Sequence, residues 1–212
     1  MHKNWRKTNF VEAMKTQAAK RNLADGSIGP VLSWTNERIQ AHQDAVMELE
    51  GAELMFGGKP LKNHTIPAIY GSWEPTAVYV PLKHFRSGKK LRLLTTELFG
   101  PFQIVTEWGK SDEQKVLDIL EAIPAHLTAA LVSNDPHFQD RILGQSMNGT
   151  TYVGMRARTT GAPQNHWFGP SGDPRGAGIG TPYAIQHTWS HHREIISDPG
   201  PIKETWTMPN PA

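Results

Sequence analysis

The chain has 212 residues, 38% of them hydrophobic and 20% charged, with 22 basic against 20 acidic side chains for a net charge of +2. That balance fits a folded domain rather than a disordered one, and basic residues scattered without a stripe argue against nucleic acid as a partner. No apolar run reaches the roughly 18 residues of a membrane span, and the absence of cysteine excludes disulfides, thiolate metal sites and a cysteine nucleophile within these residues.

The first twenty residues carry Lys3, Arg6 and Lys7, but no apolar segment or small-residue cleavage site follows. The spacing of Phe10, Val11, Met14 and Ala18 predicts an amphipathic core helix instead, and Asn9 with Glu12 three residues on resembles its capping box. Asp25-Gly26 and Gly29-Pro30 mark a loop. A second helix is predicted over about 35–49, with Ile39, Val46 and Leu49 on one stripe. The apolar run 52–56, closed by Gly57-Gly58, reads as a strand, 64–70 as irregular, and the β-rich Thr76 to Val80 as another strand ending at Pro81. The basic stretch 86–92 reads as a solvated loop.

After Gly100-Pro101 the residues alternate. Phe102, Ile104, Thr106 and Trp108 face one side and Gln103, Val105 and Glu107 the other, the period of a half-covered strand. Just before that turn stand Glu97 and Phe99, which a pleated segment would aim at the same side. A carboxylate with free oxygens can accept from two neighbouring hydroxyls, such as a ribose diol, while a ring beside it covers a flat heterocycle.

Ser111 with Gln114 predicts the cap of a helix carrying Val116, Leu117 and Leu120 and stopping before Pro124. The unbroken apolar run 127–132 predicts a strand covered on both faces. Asn134-Asp135-Pro136 opens a helix whose buried side is Phe138, Ile142 and Leu143, and 149–155 resumes strand character. Strand, helix, strand, helix, strand in that order predicts an α/β fold, a mainly parallel sheet with helices on both faces. From Gly161 the chain is rich in Gly, Pro and Asp, with Trp167, Phe168 and Tyr183 as anchors, which favours an ordered site-lining loop. From 195 onward prolines break up two short extended pieces.

Two tempting motifs fail. In Gly176-Ala177-Gly178-Ile179-Gly180 the third glycine of a dinucleotide fingerprint would fall at Thr181, and no strand leads into it. His187 and His191 would share a helix face, but the carboxylate of a zinc-protease motif is replaced by Thr188, so no metal is expected.

The stretch Thr96-Glu97-Leu98-Phe99-Gly100-Pro101 resembles the Glu-x-Phe-Gly-Pro motif of NAD-dependent aldehyde dehydrogenases. Motif order supports the resemblance: Ile28-Gly29-Pro30-Val31-Leu32-Ser33 lies upstream and the segment from Asn165 to Gly180 downstream, where that family has matching segments. The downstream segment, with Gly149-Thr150-Thr151-Tyr152 before it, most resembles the plant-type pyrroline-5-carboxylate dehydrogenases, the twelfth family. The resemblance covers nearly the whole chain.

It implies that Glu97 holds the nicotinamide ribose of NAD and that Phe99 packs near the nicotinamide. It also implies that Phe168 walls the tunnel for a small aldehyde, and that Ser171 and Gly172 offer backbone amides to the substrate's α-carboxylate. Pro170 departs from the common Phe-Gly-Gly form and has no N–H to donate. The implied organisation is a partial catalytic domain over 1–160, a site-lining loop and helix over 161–194, and an oligomerisation arm over 195–212 that would join identical subunits. The implied reaction is oxidation of glutamate semialdehyde to glutamate in proline catabolism, in mitochondria. That family's nucleophile loop and a strand lie upstream of the position matching Met1, so the expectation is a C-terminal part, inactive alone, with a sheet edge left uncovered. The rival expectation is a non-catalytic interaction or scaffold protein that retains the fold.

Overall fold

The computed structural model describes residues 1–85, 88–123, 126, 128–148, 150–154 and 195. The expectations placed on 161–194, on the C-terminal arm, and on Phe168, Ser171, Gly172 and the histidines from His187 to His192 lie outside the described residues. The chain divides into two units, Met1–Pro124 with Arg141–Ser146, and Ala125–Asp140 with Met147–Ala212.

In the first unit, helix α1 (Phe10–Ala19) forms where predicted but lies on the surface: Val11, Met14 and Ala18 are half-buried and none of its residues is buried. The inward stripe is only those three residues wide, and Phe10 turns instead to the edge of Trp5, ring centroids 5.0 Å apart. Asn9 does not cap it; the Thr8 hydroxyl accepts from the Phe10 N–H at 3.2 Å. Helix α2 (Asn36–Met47) is the core helix. Thr35 caps it by accepting from the Arg38 N–H at 3.4 Å, and Ile39, His42, Gln43 and Val46 at helical spacing are buried.

Next comes a three-stranded sheet, in the order β1 (Glu53–Phe56), β2 (Thr76–Tyr79), β3 (Phe102–Val105). The β2–β3 pair is parallel, Thr76 opposite Phe102 through Tyr79 opposite Val105, but β1 runs antiparallel to β2 with a bulge between Leu54 and Phe56. The expected parallel arrangement fails at β1 because the 57–75 connection contains no helix to carry a crossover and instead returns on itself. The Leu61 N–H donates to the Ser72 carbonyl at 2.9 Å and the Glu74 N–H to the Lys59 carbonyl at 3.0 Å, so the antiparallel ladder continues beyond the strands.

The basic stretch read as a loop contains helix α3 (Lys89–Thr95). Local signals oppose it: Gly88 at its start gives no side-chain cap, and two lysines sit at the positive end of the helix dipole. Packing overrides them. Leu94 is buried with Val46, Val78 and Val80, and a second cluster joins Val31, Ile39, Trp73 and Leu98, with Phe102 packed against both.

The alternation predicted through Trp108 is shared between two partners. The β2 ladder ends at Val105, and Trp108 then pairs with the chain's first residues, the Lys3 N–H donating to its carbonyl at 2.9 Å and its own N–H to the Met1 carbonyl at 3.2 Å. Beside this bridge the nearly buried Glu107 carboxylate accepts from the Arg6 guanidinium. Helix α4 (Glu113–Glu121) buries Leu117, while Leu120 is exposed. Ser111 does not cap it. A short 3₁₀ turn, Lys110–Asp112, precedes it and the Asp112 carboxylate accepts from the Gly109 N–H at 2.9 Å, which shifts the helix start past the serine.

The second unit contains a two-stranded parallel sheet, β4 (Thr128–Leu131) with β5 (Thr150–Val153). Its β4 strand is not covered on both faces as predicted: Leu131 is buried, but Ala130 and the following Val132 are exposed. Helix α5 (Pro136–Gln145) starts as predicted, the Asp135 carboxylate accepting from the N–H groups of His137 at 3.0 Å and Phe138 at 3.2 Å. Phe138 and Ile142 are half-buried, whereas Leu143 is exposed, contrary to its predicted place on the inner face. The described architecture is mixed α/β with small sheets. No helix among the described residues is long and apolar enough to cross a membrane.

Candidate cofactor cleft

The two threonines at the end of α3 turn their hydroxyls back on it, Thr95 donating to the Leu91 carbonyl at 2.9 Å and Thr96 to the Arg92 carbonyl at 2.6 Å. Their short side chains compete with the helix for its own acceptors, and the chain leaves the helix there. Beyond Thr96 burial alternates. Glu97 is exposed, Leu98 is 4% exposed within the Val31 cluster, and Phe99 is 76% exposed.

Glu97 and Phe99 both line one cleft, together with the rest of the turn, and the pleat predicted for them is not formed. Phe99 has φ +53°, the left-handed region, and this reversal lets the chain bring both residues to the same cleft. For a bulky residue that conformation costs on the order of 1–3 kcal/mol and persists only where neighbours enforce it. The cleft has a volume of about 250 Å³ and is lined by the turn from Thr95 to Gly100 together with the apolar Leu94, Phe102 and Ile104. That is smaller than the roughly 300–1,000 Å³ of a complete small-molecule pocket, so it suits one end of an extended ligand. Glu97 is exposed and makes no ion pair or hydrogen bond among the described residues.

Two contacts to the Val31–Ser33 segment went unread in the sequence. The Ser33 hydroxyl donates to the Leu98 carbonyl at 3.2 Å, and a Cβ on Gly100 would stand 2.6 Å from Cγ2 of Val31. The only available signal was a glycine at 100, where a side chain has no room.

Beside the cleft, His42 of α2 is 8% exposed and lies edge-on to Phe102 and to Trp34, centroids 5.6 and 5.7 Å apart. Its Nε2 has no partner among the described residues, and burial pushes the imidazole below its ordinary value. Because the folded state resists protonating His42, this group leaves stability flat above its unfolded pKa of about 6.5 and lowers it as pH falls from there toward the folded value. Urea titrations from pH 7.5 to 5 should therefore show a decline, at most about 1.4 kcal/mol per pH unit from this one proton. A His42→Gln chain should lose that component, and an unchanged slope would refute the assignment. No group of three His, Asp or Glu residues able to hold a metal ion occurs among the described residues.

The fold recurs in solved aldehyde dehydrogenases. Glyceraldehyde-3-phosphate dehydrogenase GapN from Methanocaldococcus jannaschii, complexed with NADP, matches 88% of this chain and 38% of its own, at a TM-score of 0.65 and 19% identity. The NAD+ complex of an aldehyde dehydrogenase from Bacillus cereus matches 88% of this chain and 36% of its own, at a TM-score of 0.63 and 17% identity. No protein-family model matches the chain. The sequence itself is 56% identical over 210 residues, 99% of this chain, to the mitochondrial delta-1-pyrroline-5-carboxylate dehydrogenase 12A1 of Arabidopsis thaliana. The chain belongs to the aldehyde dehydrogenase superfamily. Within it, the chain is related to a plant pyrroline-5-carboxylate dehydrogenase and spans 38% of that relative's length.

Proposed function

We propose that the chain is the C-terminal part of an NAD-dependent aldehyde dehydrogenase that oxidises glutamate semialdehyde, the open form of pyrroline-5-carboxylate, to glutamate in the mitochondrion. The observation that carries this reading is an exposed Glu97, without an ion pair or hydrogen bond among the described residues, sharing one cleft with the exposed ring-bearing Phe99. In it Glu97 accepts from the two ribose hydroxyls next to the nicotinamide, and Phe99 shields the ring from water. NAD, when bound, takes up a hydride. Phe168, Ser171 and Gly172 serve to bind the aldehyde and its carboxylate, and 195–212 is the arm through which identical subunits assemble.

The sequence contains no cysteine, so the thiolate that attacks the aldehyde must come from other polypeptide, as must most contacts to the dinucleotide. One charge-assisted contact contributes about 1.5–3 kcal/mol, which alone corresponds to dissociation weaker than about 1 mM. The purified chain should therefore form no NADH from NAD and pyrroline-5-carboxylate. A chimera in which this chain replaces the matching 38% of the Arabidopsis relative should form it. A folded but silent chimera beside an active parent would overturn the reading, as would turnover by the chain alone.

A further inference from the structure

We propose that Val31 and Ser33 are positioning residues for the Glu97–Phe99 pair: they clamp the two peptide groups around Phe99 and so hold its backbone in the left-handed conformation that sets both residues on one cleft. The Ser33 hydroxyl holds the carbonyl of Leu98, the residue before Phe99, at 3.2 Å. Val31 holds the residue after it. Its Cγ2 is 2.6 Å, and its Cγ1 3.3 Å, from where a Cβ on Gly100 would be, so the Gly100 backbone lies directly against the valine. Val31 is itself fixed, 1% exposed in the cluster with Leu98, and its N–H and carbonyl both bond Gly71, at 2.7 and 2.9 Å.

The clamp therefore reaches from the core through a backbone bridge to both sides of one strained residue. Left-handed phenylalanine persists only when its surroundings over-determine it. Among the described residues the turn is also tied down by Leu98 in the core, by the Phe102 N–H donating to the Gly100 carbonyl at 2.8 Å and by the Pro101 carbonyl, which accepts from the Thr76 N–H at 2.7 Å, but neither bond is made by the peptides flanking Phe99. The segment Ile28 to Ser33 thereby acquires a role that its own residue types do not announce, since it contributes no side chain to the cleft.

Two measurements test this. The first needs no cofactor: with selectively ¹³C-labelled phenylalanine in the chain itself, the Phe99 backbone shifts should report positive φ. They should move toward ordinary values in Ser33→Ala and in Val31→Ala, and return in Ser33→Thr, which keeps the hydroxyl. Phe99 shifts unchanged in both alanine variants would overturn the clamp. The second arm rests on the proposed NAD reading and uses the chimera. Ser33→Ala should raise KM for NAD about threefold to tenfold, the worth of one neutral hydrogen bond, with kcat within twofold and Ser33→Thr restoring it. An active chimera whose KM for NAD ignores Ser33→Ala would overturn the positioning role. A silent chimera would count against the function and leave the first arm to decide the clamp.

Discussion

Replacing Glu97 with alanine in the chimera should lower kcat/KM for NAD by about ten- to a hundredfold. A hydrogen bond to a charged group is worth roughly 1.5–3 kcal/mol, and each 1.4 kcal/mol equals about a factor of ten. The carboxylate is exposed and sits on the turn after α3, outside both hydrophobic clusters, so the substitution should leave the melting temperature unchanged. Steady-state rates over a range of NAD concentrations, with thermal melts alongside, separate the two effects. Equal kcat/KM in both proteins would remove Glu97 from the site. A loss of activity that tracked a loss of fold would reassign it to structure.

Gly57→Ala should produce the largest loss of stability from a single methyl group. Gly57 has φ +75°, and its added Cβ would stand 2.2 Å from the Pro75 carbonyl oxygen and 2.6 Å from Oγ1 of Thr76. Neither neighbour can yield. Thr76 opens the central strand, and its hydroxyl accepts from the Gly58 N–H at 2.8 Å while donating to the Glu74 carbonyl at 2.8 Å. A left-handed alanine alone costs roughly 1–2 kcal/mol, and overpacking against fixed backbone adds about 1–3 more. Together, at about 2–5 kcal/mol, these are a large fraction of the stability of a small domain, on the order of 5–15 kcal/mol. Gly26→Ala is the control: its φ is +70°, yet nothing lies within 4 Å of the new Cβ, so only the backbone penalty applies. Urea midpoints for the two variants should differ widely; matching midpoints would show that the crowding at Gly57 relaxes.

Elements with strong local signals were readable in order along the chain. Thr35 before an apolar stripe announced α2, the β-branched run at Thr76 announced β2, and Asp135-Pro136 announced α5. Helix α3 was hidden because its stability comes from Leu94 meeting Val46, Val78 and Val80, residues distant in sequence, while its own start lacks a cap. The antiparallel course of β1 was hidden for a related reason: the return is made by backbone bonds between 59–61 and 72–74, whose side chains carry no turn signature. At the cleft, the two residues were legible as a pair and their geometry was not. A glycine at position 99 would have advertised the reversal, whereas phenylalanine there conceals it, and the contacts around it belong to a segment more than sixty residues away.

The continuation of the β1–β2 ladder into 59–61 and 72–74 also sets an order of events as the chain folds. Contact between Leu61 and Ser72 closes a short loop, and each further pair toward Glu53 and Tyr79 adds bonds at little extra entropic cost, as in a zipper. The parallel partner β3 has no such start; it docks only after α3 has been laid down between them. A chain leaving the ribosome can thus complete a hairpin-like nucleus before the Glu97 turn has emerged, and rapid local closure followed by slower docking is the expected kinetic sequence.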